Sequence, residues 1–281
     1  MRIGLALALG TVSLAACHYH RFDPVADIEF QAYPDAKTAM AAVIAEAGPA
    51  KVYAVGEYHS TRLAKTARAP VVWFGQLLDL LRSRSRHLVL EAWLDDGCAS
   101  KAALEAQVAQ TTGRSGPSRD LDALMMKSAN QRIVPHGLAM SCIEQGALFD
   151  GRGGLDVVRL LELITTKLEA TTLPLVANDR AVIVYGGALH NDLYPRWQLD
   201  SLSYAVPLQE ALGGGVVEID LVVPEIIAPM AMVRGEAWFP LIGQSAPDRA
   251  LVWKRGPHSF VVILPSQSRE VARIAKPIEH A

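Results

Sequence analysis

Lys51–Ser60 reads KVYAVGEYHS, and the way that run ends decides the fold. Val52, Tyr53, Ala54 and Val55 form an unbroken apolar stretch, partly β-branched, that stops at Gly56. Such a stretch predicts a short strand covered on both faces, and the glycine lets the backbone turn out of it. Glu57 and His59 follow at once. In an open parallel sheet, ligands and chemistry sit just past the carboxyl ends of the strands, so a carboxylate and an imidazole delivered there are candidate site residues. The same grammar returns at Ala181–Asp192, AVIVYGGALHND, where an apolar run meets Gly186 and Gly187 and His190 follows three residues later.

Working outward from these two units, strands and helices alternate. Ala36–Ala47 is alanine-rich with apolar residues at helical spacing, and Gly48-Pro49 stops it. Val71–Leu81 predicts a second helix with a strongly apolar face. His87–Glu91, HLVLE, is a strand that closes on Glu91, a second acid aimed at the same crevice. Ala99–Gln110 is helical by propensity, and Leu121–Ser128 is a short Met-rich helix. Arg132–Pro135 reads as a strand with His136-Gly137 as its exit. Leu155–Leu168 is a helix buried on a wide face. Asn191–Leu202, polar and aromatic, is placed to cover the site. Val216–Val223 is another strand, and Leu251–Trp253 with Ser259–Leu264 form a hairpin through KRGPH. The alternation predicts an α/β fold: a mostly parallel sheet flanked by helices, with an antiparallel C-terminal hairpin.

At 281 residues and 51% hydrophobic content, the chain can bury a full core as one domain. A net charge of -2, with its basic residues dispersed, argues against a nucleic-acid partner. The N-terminus is a targeting segment. Met1-Arg2 is a minimal basic start, and Ile3–Leu14 is an apolar core too short to span a bilayer. Leu14-Ala15-Ala16-Cys17 resembles a bacterial lipoprotein lipobox. That resemblance implies removal of residues 1–16 and lipidation of Cys17, hence an outer-membrane anchor with the protein facing the periplasm or the surface. Residues 17–35 lack periodicity and read as a tether, leaving 36–281 as the single domain. Cys98 and Cys142 make an even pair in a compartment that permits a disulfide; a bridge and two unpaired thiols both stay open on the sequence.

Glu57, His59, Glu91 and His190 supply two carboxylates and two imidazoles. That mixture suits a divalent metal ion with open coordination positions, held by Glu57, His59 and His190, or metal-free acid–base work on water. A carboxylate beside an imidazole raises its pKa and fixes its tautomer, giving a competent base near neutral pH. Ser60 adjoins His59, but the chain has no G-x-S-x-G elbow, which argues against serine-hydrolase chemistry.

The paired patterns Gly56-Glu57-Tyr58-His59 and Gly187-Ala188-Leu189-His190, with Glu91 as the acid ending an intervening strand, resemble a known superfamily. It unites the ChaN-like haem-binding uptake lipoproteins, the Tiki/TraB proteins and the erythromycin esterases. With its lipobox and length, the chain looks most like the ChaN branch, which implies an outer-membrane-anchored protein that binds haem for iron uptake. On that reading His59, His190 and Tyr58 surround the cofactor. The other branches imply a hydrolase acting on a small-molecule substrate or a peptide, with or without a metal. A lipoprotein that only scaffolds envelope partners would keep the fold without the acid–histidine cluster.

Overall fold

The structure is a computed structural model that describes residues 28–59, 67–94, 101–112, 119–150, 152–176, 180–196 and 199–267. The strands are β1 (Gln31–Tyr33), β2 (Val52–Glu57), β3 (Ser85–Trp93), β4 (Val134–Leu138), β5 (Ala181–Gly187), β6 (Val216–Val222), β7 (Ala250–Gly256) and β8 (Ser259–Ile263). The helices are α1 (Ala36–Ala47), α2 (Pro70–Leu77), α3 (Lys101–Thr112), α4 (Arg119–Asn130), α5 (Cys142–Ala147), α6 (Val157–Thr172), α7 (Ala205–Ala211) and α8 (Pro224–Ile227).

All eight strands belong to one sheet, in the order β1-β7-β8-β6-β2-β5-β3-β4. The six strands from β8 to β4 run parallel, and β7 is antiparallel to both β8 and β1. The fold is therefore α/β with a mostly parallel sheet flanked by helices, and the C-terminal hairpin forms its antiparallel part. From β2 the chain moves outward to β3 and β4, returns through α6 to insert β5 beside β2, then crosses to β6 on the other side. That reversal makes the ends of β5, β2 and β6 a topological switch point, where open sheets place their crevice.

Alternation along β2 shows how its two faces are covered. Tyr53 and Val55 pack with Met40 of α1, Phe74 and Leu77 of α2, and Leu124 of α4. Val52 and Ala54 pack with Leu160, Ile164 and Leu168 of α6 and Leu208 of α7. On the latter face, the β6–β8 end is capped instead by α8 and the segment carrying Trp238 and Leu241. Helix α1 has the bounds its apolar spacing predicts: Asp35 accepts the Thr38 N–H at 2.7 Å, and Gly48 ends it with a φ of 72°.

Three features differ from the sequence reading. Gln31–Tyr33, within the stretch read as a tether, forms the edge strand β1 on β7; three residues carry too little periodicity to announce a strand. The helix expected to reach Leu81 tightens into a 3₁₀ turn at Leu78–Leu80, a common helix ending. The strand expected at Arg132–Pro135 with His136-Gly137 as its exit runs over Val134–Leu138 instead, so His136 and Gly137 lie inside it. Cys142 opens α5 and is disulfide-bonded. Cys98, Cys17, the signal segment and Ser60 lie outside the described residues.

Candidate active site

The site begins with a row of residues across the sheet. Gly56 pairs in register with Gly186 on one side and Asp220 on the other, and Glu91 follows the Leu90↔Tyr185 pair. Two glycines are thus flanked by two acids, and the missing side chains leave a trough at the switch point. The His190-Asn191 turn and the Glu91 carboxylate fill it. A Cβ on Gly56 would stand 2.4 Å from Asp220 Oδ1 and 2.5 Å from Asn191 Oδ1, and one on Gly186 would stand 2.9 Å from Glu91 Oε2. Close approach of side chains is what demands glycine here.

Glu57 and His59 form the first half of the site. His59 Nδ1 lies 2.6 Å from Glu57 Oε1, and an ionised carboxylate only accepts, so this contact fixes the proton on Nδ1 and leaves Nε2 on the side of Glu91 and Gly187. The other Glu57 oxygen accepts a short hydrogen bond from the Tyr185 hydroxyl. Tyr185 is in turn stacked on Phe74 of α2, with centroids 4.6 Å apart and planes inclined by 12°. One carboxylate is thereby oriented from both ends.

Glu91 and His190 form the second half. Glu91 Oε2 accepts the Gly187 N–H at 2.6 Å, and its Oε1 stands 3.9 Å from His59 Nε2. His190 is 2% exposed. Its Nδ1 lies 3.0 Å from the Leu202 carbonyl and 2.9 Å from Thr165 Oγ1, while Thr165 itself donates toward the Leu161 and Leu202 carbonyls at 3.0 and 2.8 Å. A carbonyl only accepts, so His190 also carries its proton on Nδ1, with its Cδ2 edge toward Gly187.

The two halves meet over Gly187. The position a Cβ would take there is 2.9 Å from His59 Nε2, 3.4 Å from Glu91 Oε2 and 3.6 Å from His190 Cδ2. Glu57, His59, Glu91 and His190 are therefore brought together, although they arise from three strand ends. Tyr58 is not: its ring packs on Trp238 at a centroid distance of 5.5 Å. Burial first, then the negative charge of Asp220, Glu236 and other acids, pushes its phenol well above the usual range. Among the described residues no three His, Cys, Asp or Glu side chains are placed to hold a metal ion.

Tyr185, Thr165, Asn191 and Asp220 were not singled out as site residues by sequence reasoning. Thr165 carries no local signal, being one polar residue in a helix whose register against the sheet only the fold sets. Asp220 did carry one. VVEIDLV places Glu218 and Asp220 on one face of a strand whose faces are both covered, and acids are not buried in pairs without a role.

No protein-family model matches the chain, and no curated protein matches it. One solved structure, that of the type III effector HopBA1, superposes over 77% of this chain and 88% of its own, at 13% identity and a TM-score of 0.36. A likeness that faint carries no argument about activity.

Proposed function

We propose that this chain hydrolyses an ester or amide bond, with His59 as the base that activates water. The observation that carries the reading is an imidazole held between two carboxylates, one fixing its tautomer through Nδ1 at 2.6 Å and the other 3.9 Å from Nε2. His59 is also the most accessible of the three, its side chain 27% exposed against 13% for Glu57 and 7% for Glu91, so it is the one a substrate meets.

A water between His59 Nε2 and Glu91 Oε1 gives one proton to Nε2 as its oxygen bonds to the carbonyl carbon, and the carbonyl π electrons move to oxygen. Glu57 stabilises the imidazolium so formed. Collapse of the tetrahedral adduct breaks the bond to the leaving alkoxide or amine, which takes the proton from Nε2. Glu91 stays in place through the Gly187 N–H, and His190 lines the same rim with its Cδ2 edge. General-base assistance of this kind contributes roughly 10²–10⁴-fold.

Of the residues named for haem, Tyr58 faces Trp238 with its phenol kept protonated and His190 is buried against Thr165 and Leu202, which leaves His59 as the named residue at the crevice. For a metal, Glu57 and His59 meet through Nδ1, and no group of three His, Cys, Asp or Glu among the described residues is placed to hold an ion. No step here passes through either group. Lipidation at Cys17 would hold the activity at the outer membrane, facing the periplasm or the surface, on a small-molecule substrate. No helix among the described residues is long and apolar enough to cross a membrane.

The test is a panel of chromogenic esters and peptides. The wild-type chain should turn over at least one of them, and His59→Ala should lower kcat by roughly 10²–10⁴-fold. A silent wild type, or His59→Ala retaining full turnover, would refute the reading. A Soret shift on titration with hemin, lost in His59→Ala, would put haem binding in its place.

A further inference from the structure

We infer that Glu218, Asp220 and Arg255, which stand behind the reacting rim, are positioning residues that clamp the turn carrying His190 to the sheet. The kinetic consequence rests on the hydrolytic reading above, whereas the structural consequence does not.

Every residue from Asn191 to Tyr194 is held by a charged side chain of β6 or β7. Asn191 Nδ2 donates to Asp220 Oδ1 at 2.9 Å and also to the Ala54 carbonyl at 3.2 Å. The Leu193 N–H donates to Glu218 Oε2 at 2.9 Å. Arg255 Nη1 donates to Asp192 Oδ1 at 2.6 Å and stands 3.6 Å from Glu218 Oε1, while its Nη2 donates to the Tyr194 carbonyl at 2.7 Å. From the other side, the Tyr204 N–H donates to the His190 carbonyl at 2.8 Å and Ser203 Oγ to that of Asp192 at 2.5 Å. His190 sits at the head of this fastened segment, so its ring has little freedom to leave the rim.

The clamp is an expensive way to hold a turn if packing alone were required. Glu218 is 0% exposed and Asp220 5%, in the interior of a parallel sheet where apolar residues are the rule. Three carboxylates, Asp192, Glu218 and Asp220, face one guanidinium, with Tyr58 and Tyr204 packed nearby. Burial, with repulsion from neighbouring acids, keeps both β6 acids protonated further up the pH scale than usual, Glu218 to about 7. Protonated, Asp220 can still accept from Asn191, so a neutral amide of the same shape should replace it.

The experiment follows the His190 ring by NMR in the full chain and, in parallel, turnover on the ester and peptide panel. Asp220→Ala should move the His190 ring resonances and lower kcat roughly a hundredfold with KM nearly unchanged, the scale set by an ångström of misplacement. Asp220→Asn should restore both. Phe260→Leu, a core truncation on the opposite face of the sheet, should lower stability and leave the ring resonances where they are. If Asp220→Ala does not fold, Arg255→Gln releases the same turn and should displace the same resonances. Unmoved His190 resonances in the released variant, failure of Asp220→Asn to restore them, or equal movement in Phe260→Leu would overturn the proposal. A wild type inactive on the panel would remove the hydrolytic reading alone, since the ring resonances report positioning by themselves.

Discussion

Gly56–His59 and Gly187–His190 are the same motif in sequence and two different devices in space. The first leaves its histidine at the surface of the crevice, tied by Nδ1 to a carboxylate. The second folds its histidine into the protein, tied by Nδ1 to a carbonyl and a threonine hydroxyl. A carboxylate partner stabilises an imidazolium, whereas a neutral partner in a buried place does not. In the proposed reaction the first histidine is the one that takes and passes on a proton, and the second is held still.

The sharpest way to break that contrast is to truncate each histidine. His59→Ala should cost roughly 10²–10⁴-fold in turnover and change stability by less than about 0.5 kcal/mol. His190→Ala should lower turnover by roughly a hundredfold and in addition destabilise by about 1–3 kcal/mol, because it strands buried partners. Equal stability losses in urea denaturation would show that the two units are alike after all.

The glycines give the next largest effect. Gly56→Ala drives a methyl into the buried Asp220 and Asn191 and should cost about 3 kcal/mol. Gly187→Ala meets His59 Nε2, the end of a side chain that can swing outward, so it should cost about 1 kcal/mol while displacing that imidazole. Thermal denaturation of the two variants ranks them; the reverse order would contradict the trough. Thr165→Val should follow at about 1–2 kcal/mol, since it leaves the Leu161 carbonyl and His190 Nδ1–H each short of a partner. Retention of the wild-type His190 tautomer in that variant would show that the Leu202 carbonyl suffices.

The remaining test is a pH dependence. Glu218, raised by burial from 4.5 to about 7, binds a proton in the folded chain that the unfolded chain has already released. Its contribution therefore makes stability fall as pH rises from about 4.5 to about 7. His136, lowered from 6.5 by burial and by His87, acts oppositely: stability falls as pH drops below 6.5. Urea denaturation at pH 5 and pH 8 should show Glu218→Gln losing part of the acid-side stabilisation; an unchanged slope would remove Glu218 as its source.

The strand ends were legible because a covered parallel strand is an unbroken apolar run, and VYAV, LVL and VIV each stop just before the candidate site residues. The four acids and imidazoles followed from those stops. What lay beyond reach was anything set by tertiary register: that Tyr185 would reach Glu57, that α6 would present Thr165 to His190, and that three residues near the start of the described chain would pair with β7 as an edge strand. Glu218 and Asp220 fall between these cases. Their spacing by two in an apolar strand puts both on one covered face, and that alone marks them as residues to explain.

Two imidazoles from separate strand ends meeting over one glycine is the arrangement on which all of this depends. In histidine-labelled protein, ring protons of both His59 and His190 should show nuclear Overhauser contacts to the Gly187 α-protons. Contacts from only one ring, or from neither, would contradict it.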